Sequence, residues 1–187
     1  MHFDFPQQRS QFDLVLTGES ISAESGFAAR IRTSAGYNTC EPPYHVVGIH
    51  LGKPVKVLHR QSSAERIHDF ESGDSFFAPF GAPIDYAHPT ALDRLYVYLS
   101  PAYLETLAVD AGVIPVEGWL KAALGMRDPV ITQIGRALLH ELSAPGLGMR
   151  AYIEAMQTQL AIHLIRTYAV EAPAAAAVDA AERKPNQ

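Results

Sequence analysis

A second cysteine, an excess of positive charge and long apolar runs are all lacking in this 187-residue chain, and each lack removes a class of protein. One cysteine, Cys40, leaves no intramolecular disulfide, so a reducing cytoplasm is the expected compartment. As a lone thiol it is expected to be a small buried or half-buried side chain. Fifteen Lys and Arg stand against twenty Asp and Glu, a net charge of −5. That is the wrong sign for a chain that coats nucleic acid. No apolar stretch approaches the ~18 residues that span a bilayer, and the polar start MHFDFPQQRS is no signal peptide, so no membrane partner is expected. There is no Gly-x-Ser-x-Gly elbow and no phosphate-cradling glycine loop, and Cys40 has no basic partner nearby in sequence.

What is present is an ordinary globular composition, 48% hydrophobic and 19% charged, in a chain long enough for a real core. Its most informative stretch is residues 71–88, ESGDSFFAPFGAPIDYAH. Gly73-Asp74 is a tight-turn dipeptide, and residues 75–78 are too short for a helix and aromatic enough for a buried strand. Residues 79–83, PFGAP, reverse the chain, because proline fixes φ and glycine permits positive φ. A second strand returns over residues 84–87. The spacing Gly73-x5-Pro79-x-Gly81-x2 resembles the second motif of the cupin barrels. Metal-binding cupins place a histidine ligand next, where this chain has Ile84, which cannot ligate.

Alternation marks further strands at residues 27–33, 55–60 and 94–99, a β-branched apolar run marks one at 44–51, residues 66–70 read as another, and residues 36–43 read as a loop. Short strands at regular turns predict a β-barrel or sandwich. Residues 1–22 have no sustained period and read as an arm, anchored by Phe3, Phe5, Phe12, Leu14 and Leu16. After residue 100 the period becomes helical. Ser100-Pro101 and Asp128-Pro129 are capped starts, the first closed by Gly112. A short helical turn is expected near residues 119–124. The second helix carries the stripe Ile131, Ile134, Leu138 and Leu142. Residues 149–169 form the longest helix, with two apolar stripes: Ile153, Met156, Leu160, Leu164 and Tyr168, and Ala151, Ala155, Ile162, Ile165 and Ala169. Two stripes need two packing partners. A second subunit is the expected one, with Ile153, Met156, Leu160, His163 and Leu164 as its contacts; the alternative buries both faces within one chain. Residues 170–187 hold almost no large apolar side chain and read as a flexible tail or linker. The expected fold is mainly β with C-terminal helices: a cupin-like antiparallel β-barrel of jelly-roll type over residues 23–100, followed by a helical hairpin over residues 101–169.

A barrel, a capped helix after the Tyr-x-Tyr-Leu-Ser-Pro strand end, and a helical hairpin together resemble one family. The segments are YHVVGIHL (44–51), GDSFFAPFGAP (73–83), LYVYLSPAYL (95–104), RDPVITQIGRALLHEL (127–142) and YIEAMQTQLAIHLIRTYA (152–169). In that order they are similar to the N-terminal sensor and dimerisation domain of the AraC-type transcription regulators. The resemblance implies a small-molecule effector in the barrel, a homodimer made through the helices, and DNA binding by a helix-turn-helix domain. The sequence ends where that family's linker would run, so direct nucleic acid binding by this chain is not expected.

Strand parity locates a candidate pocket. Leu95, Val97 and Leu99 form one face of a strand, and Arg94, Tyr96 and Tyr98 the other. If the helices cover the aliphatic face, the second face lines the barrel interior with Tyr86; with the parity reversed, Arg94 lies outside. Aromatic faces stack on a ligand body while the guanidinium pairs with a carboxylate or hydroxyl. The resemblance points to the same positions, Tyr86, Arg94 and Tyr96. His50 and His59 are further interior candidates. No cofactor or metal is expected: His45 and His50 stand at odd spacing and leave opposite faces of their strand. Asp69, Glu71 and Asp74 read as solvated turn charges, with Asp74 also satisfying turn amides. Two alternatives remain: a small metal-dependent cupin isomerase or dioxygenase, and a stand-alone module that pairs with full-length regulators.

Overall fold

The computed structural model describes residues 5–17, 25–61 and 64–170. Its strands are β1 (Phe12–Thr17), β2 (Gly26–Thr33), β3 (Gly36–Cys40), β4 (His45–His50), β5 (Val55–Gln61), β6 (Ala64–Phe70), β7 (Ser75–Ala78), β8 (Ile84–His88) and β9 (Leu92–Leu99). They are followed by α1 (Pro101–Asp110), β10 (Ala123–Met126), α2 (Pro129–Ser143) and α3 (Met149–Tyr168). One sheet runs β1-β2-β9-β4-β7-β10 and the other β3-β8-β5-β6, with antiparallel pairing throughout. Set β1 and β10 aside and eight strands remain, four to a sheet. From β2 to β9 the chain changes sheet at every connection except the β5–β6 hairpin. That is the double-sheet jelly roll used by cupins.

Alternation along the strands builds two cores. The outer face of the larger sheet, with Val47, Ile49, Phe77, Leu95, Val97 and Leu99, packs under the helices. The space between the sheets is filled by Val46, Val55, Val57, Phe70, Phe76, Tyr86, Leu92 and Tyr96. Asp128 caps α2, accepting from the backbone N–H of Val130 and Ile131 at 2.9 and 3.2 Å. The stripe Ile131, Ile134, Leu138 and Leu142 is buried. Ser100 precedes α1 without capping it through its side chain.

Several expectations are corrected. Residues 36–40, read as loop, are β3: its alternating Tyr37 and Thr39 suit a strand, and it pairs with β8. Within the arm, Phe12–Thr17 is a strand paired with β2, and Phe5 is buried against Leu58 and Ala87. Phe3 and the side chains of Leu14 and Leu16 lie outside the described residues, as does the tail over 171–187. In place of a helical turn near 119–124 the chain runs irregularly into β10, which pairs with β7. Cys40 is exposed, since β3 is an edge strand and the thiol sits at its end. Asp74 satisfies a turn amide as expected, accepting from Glu71 N–H at 2.8 Å, but it is buried rather than solvated and also accepts from Arg127 Nε at 3.1 Å. No helix among the described residues is long and apolar enough to cross a membrane.

Candidate functional site

β9 lies between β2 and β4, so the parity of its side chains decides what the barrel contains. Leu95, Val97 and Leu99 face the helices, while Arg94 and Tyr96 face the opposite sheet. Along β4, His50, Gly48 and Val46 pair with Arg94, Tyr96 and Tyr98. In the other sheet His59 pairs with Tyr86. Tyr86, Arg94, Tyr96, His50 and His59 are thereby gathered inside one sandwich.

Arg94 is the centre of this interior. It is 1% exposed, yet Nε and both terminal nitrogens find no hydrogen-bond partner among the protein's own groups. Three rings enclose it instead, with centroids 5.2 Å (Phe70), 5.3 Å (Phe76) and 5.3 Å (Tyr86) from the guanidinium carbon. Such contacts return about 0.5–2 kcal/mol each, whereas a buried charge without hydrogen-bonding partners is costly. Gly48 makes the enclosure possible: a Cβ there would stand 2.1 Å from the Phe76 ring.

The histidines around the guanidinium are held neutral. Burial, and then the positive charge of Arg94, pushes His59 down to about 3. Burial also lowers His50, whose Nε2 lies 2.7 Å from the Lys53 carbonyl and whose Nδ1 is buried without a partner. Tyr86 is pushed well up, first by burial and then by the neighbouring Tyr96. Tyr98 stands apart. It is half-buried at the end of β9, stacks on Phe27 at 4.3 Å, and meets Tyr44 edge-on at 6.1 Å.

Around Arg94 the interior is filled by side chains; open space begins at His59. A cavity of about 440 Å³ is walled by His59, Ala64, Arg66, His68, Lys121, Ala122 and Leu124. A narrow one of about 40 Å³, sharing His59, Ala122 and Leu124 with it, reaches Phe76 and Ile84. Sequence reasoning missed Phe70, Phe76, His68 and Lys121. Parity could have found the first two, since both alternate with outward residues on short strands. Lys121 gives no local signal, because only the return of the chain to β7 brings it to the barrel mouth.

Three of the expected subunit contacts are corrected. Ile153, Leu160 and Leu164 are fully buried in the chain's own core, because that stripe of α3 faces the sheet and α2. Met156 packs against the same core. His163 Nε2 lies 2.7 Å from Asp128 Oδ2. Burial acts to raise the Asp128 carboxyl, but hydrogen bonds from His163 and the Ile131 amide outweigh it and hold the carboxyl low. The outward face of the hairpin carries Tyr152 and Ile162, 44% and 43% exposed.

A metal ion does not fit the donors present. Among the described residues no three His, Cys, Asp or Glu converge. His45 faces Phe77 on the helix side of the sheet while His50 faces Phe70 inside it.

Among solved structures, an ethanolamine utilization protein Q of Salmonella typhimurium is 22% identical over 48% of this chain and 68% of its own, with a TM-score of 0.38. A cupin domain of Bordetella pertussis is 12% identical over 52% of this chain and 99% of its own, TM-score 0.40. Oxalate decarboxylase of Bacillus subtilis is 16% identical over 57% of this chain and 34% of its own, TM-score 0.39. No protein-family model and no curated protein matches the chain. By its own strand order, this is a cupin-like β-sandwich with C-terminal helices packed on one sheet.

Proposed function

We propose that the chain is the effector-sensing and dimerisation domain of an AraC-type transcription regulator, and that it binds a small organic molecule in a metal-free barrel without catalysing a reaction. One observation carries the ligand reading: Arg94 is buried, charged and without a hydrogen-bond partner, in an interior that also holds unpartnered imidazole nitrogens. Native interiors rarely leave such groups unmet. A ligand in the open space beside His59 supplies partners to the imidazole nitrogens, with the charge of Arg94 one layer of rings behind them. The order of segments in the sequence supports the regulator assignment, with DNA contact made by a helix-turn-helix domain outside this sequence. Pairing with a second copy uses the outward face of α2 and α3, where Val130, Tyr152 and Ile162 are exposed. Binding then shifts that pairing or its geometry, and coupling of ~1–3 kcal/mol suffices for a switch.

A thermal-shift screen tests the reading, using sugars, aromatic acids, aliphatic acids and amines. At least one class is expected to raise the melting temperature in proportion to its concentration. A flat response to all of them contradicts the proposal. So does stoichiometric Fe, Mn, Ni or Zn in the purified chain, which would favour the enzyme reading.

A further inference from the structure

The barrel mouth narrows the class of ligand, on the premise that a ligand binds in the barrel at all. We infer that the effector is a small organic oxyanion, a carboxylate on an apolar body. Its seat lies between the β5–β6 ribbon and β10, with His59 and His68 as hydrogen-bond donors and Arg66 and Lys121 as flanking cations.

The register of the ribbon comes first. Val55, Val57 and His59 face the interior and pair with Phe70, His68 and Arg66 in turn. The inward stripe of β6 therefore passes from a buried ring, to a half-buried imidazole, to an exposed guanidinium as it nears the mouth. At that end lies the cavity of about 440 Å³, within the ~300–1,000 Å³ of small-molecule sites. His59 lines it and is 6% exposed. Its Nε2 and that of His68 are both buried without a hydrogen-bond partner, and the two rings stand 5.3 Å apart. Each neutral imidazole has an N–H to give, and an oxyanion has lone pairs enough to accept from both.

Charge points the same way. The cavity is lined by two cations and two imidazoles and by no carboxylate. Among the described residues neither Arg66 nor Lys121 forms an ion pair. Behind His59, Phe70 and Tyr86 are shared with Arg94, so the unpaired guanidinium lies one layer of rings deeper. The apolar body lies in the larger cavity against Ala64, Ala122 and Leu124; the narrow one beyond, lined by Phe76 and Ile84 but also by Arg60 and Asp85, is too small to hold it.

Two plainer accounts fall short. An inward charge on an edge strand discourages pairing with another sheet, and β6 is an edge. That accounts for Arg66 but leaves the two imidazole nitrogens unexplained. A metal ion needs three or four ligands, and two imidazoles do not supply them.

Titration calorimetry and thermal shift with benzoate and hexanoate test the inference, beside benzamide, benzyl alcohol and benzylamine as neutral and cationic counterparts. The carboxylates are expected to bind at least about tenfold more tightly than the neutral molecules, the difference one charge-assisted hydrogen bond makes. His68→Phe, on an edge strand and half-exposed, is expected to remove that preference while the chain stays folded. His59→Leu, which likewise leaves no N–H to donate, is the second variant, and a melt of each confirms folding. If the neutral or cationic probes bind as tightly as the carboxylates, or the preference survives both substitutions, the oxyanion inference fails while a barrel ligand stands. If no probe of any charge binds, the premise fails with it.

Discussion

Arg94 raises a question of sign. In the free chain its guanidinium is sealed among Phe70, Phe76 and Tyr86 with all its donors unused. Replacing a buried charge by an apolar side chain of similar length is often stabilising by ~1–4 kcal/mol. Arg94→Met is therefore expected to raise the melting temperature of the ligand-free chain, measurable by calorimetry. A fall of several degrees would show that the three ring contacts outweigh the unmet hydrogen bonds. This residue was legible in the sequence only as one of two parities. The alternation of Arg94, Tyr96 and Tyr98 against Leu95, Val97 and Leu99 divides the strand into two faces, but which face lies inside depends on where the helices dock. Tyr98 shares the parity and stacks on Tyr96, but at the strand end it is half-buried and also joins Phe27 and Tyr44.

At the scale of elements, local chemistry gave strong signals where turns and caps were strong. The Gly73-Asp74 turn and the Pro79-x-Gly81 corner frame β7 and β8, and Asp128-Pro129 starts α2 as expected. β3 and β10 were missed because both are short, and their strand character comes from a neighbour across the sheet. The two stripes of α3 were visible, but sequence periodicity could not say which one the chain itself covers. Ile162→Glu, on the outward face, is expected to shift a dimer to monomer in light scattering at micromolar concentration while leaving the melt nearly unchanged. An unaltered dimer would place the contact elsewhere. Within β4, Gly48→Ala is expected to destabilise by about 1–3 kcal/mol in urea, because the added Cβ would meet the Phe76 ring at 2.1 Å. A neutral result would mean that the ring has room to move.

Across the whole molecule, buried histidines link stability to pH. Burial lowers His45 and His88 to about 4, and His59 to about 3, from 6.5. Below pH 6.5 the unfolded chain binds protons that the folded chain refuses, so stability is full above that point and falls as pH drops through 4. Each pKa unit is worth about 1.4 kcal/mol, making the total loss on the order of several kcal/mol. Thermal melts between pH 7.5 and 4 are expected to show a steep decline, and a flat profile would mean that these rings are hydrated in solution. The same interior holds both the unmet guanidinium and the neutral imidazoles, so the account stands or falls on whether that interior takes a guest. The most direct measurement is the ligand-dependent rise in melting temperature of the wild-type chain beside His68→Phe, across one panel of small organic acids, sugars and amines. The account predicts at least one compound that stabilises the wild type and loses most of its effect on the variant. A panel that shifts neither protein, or both equally, would contradict it.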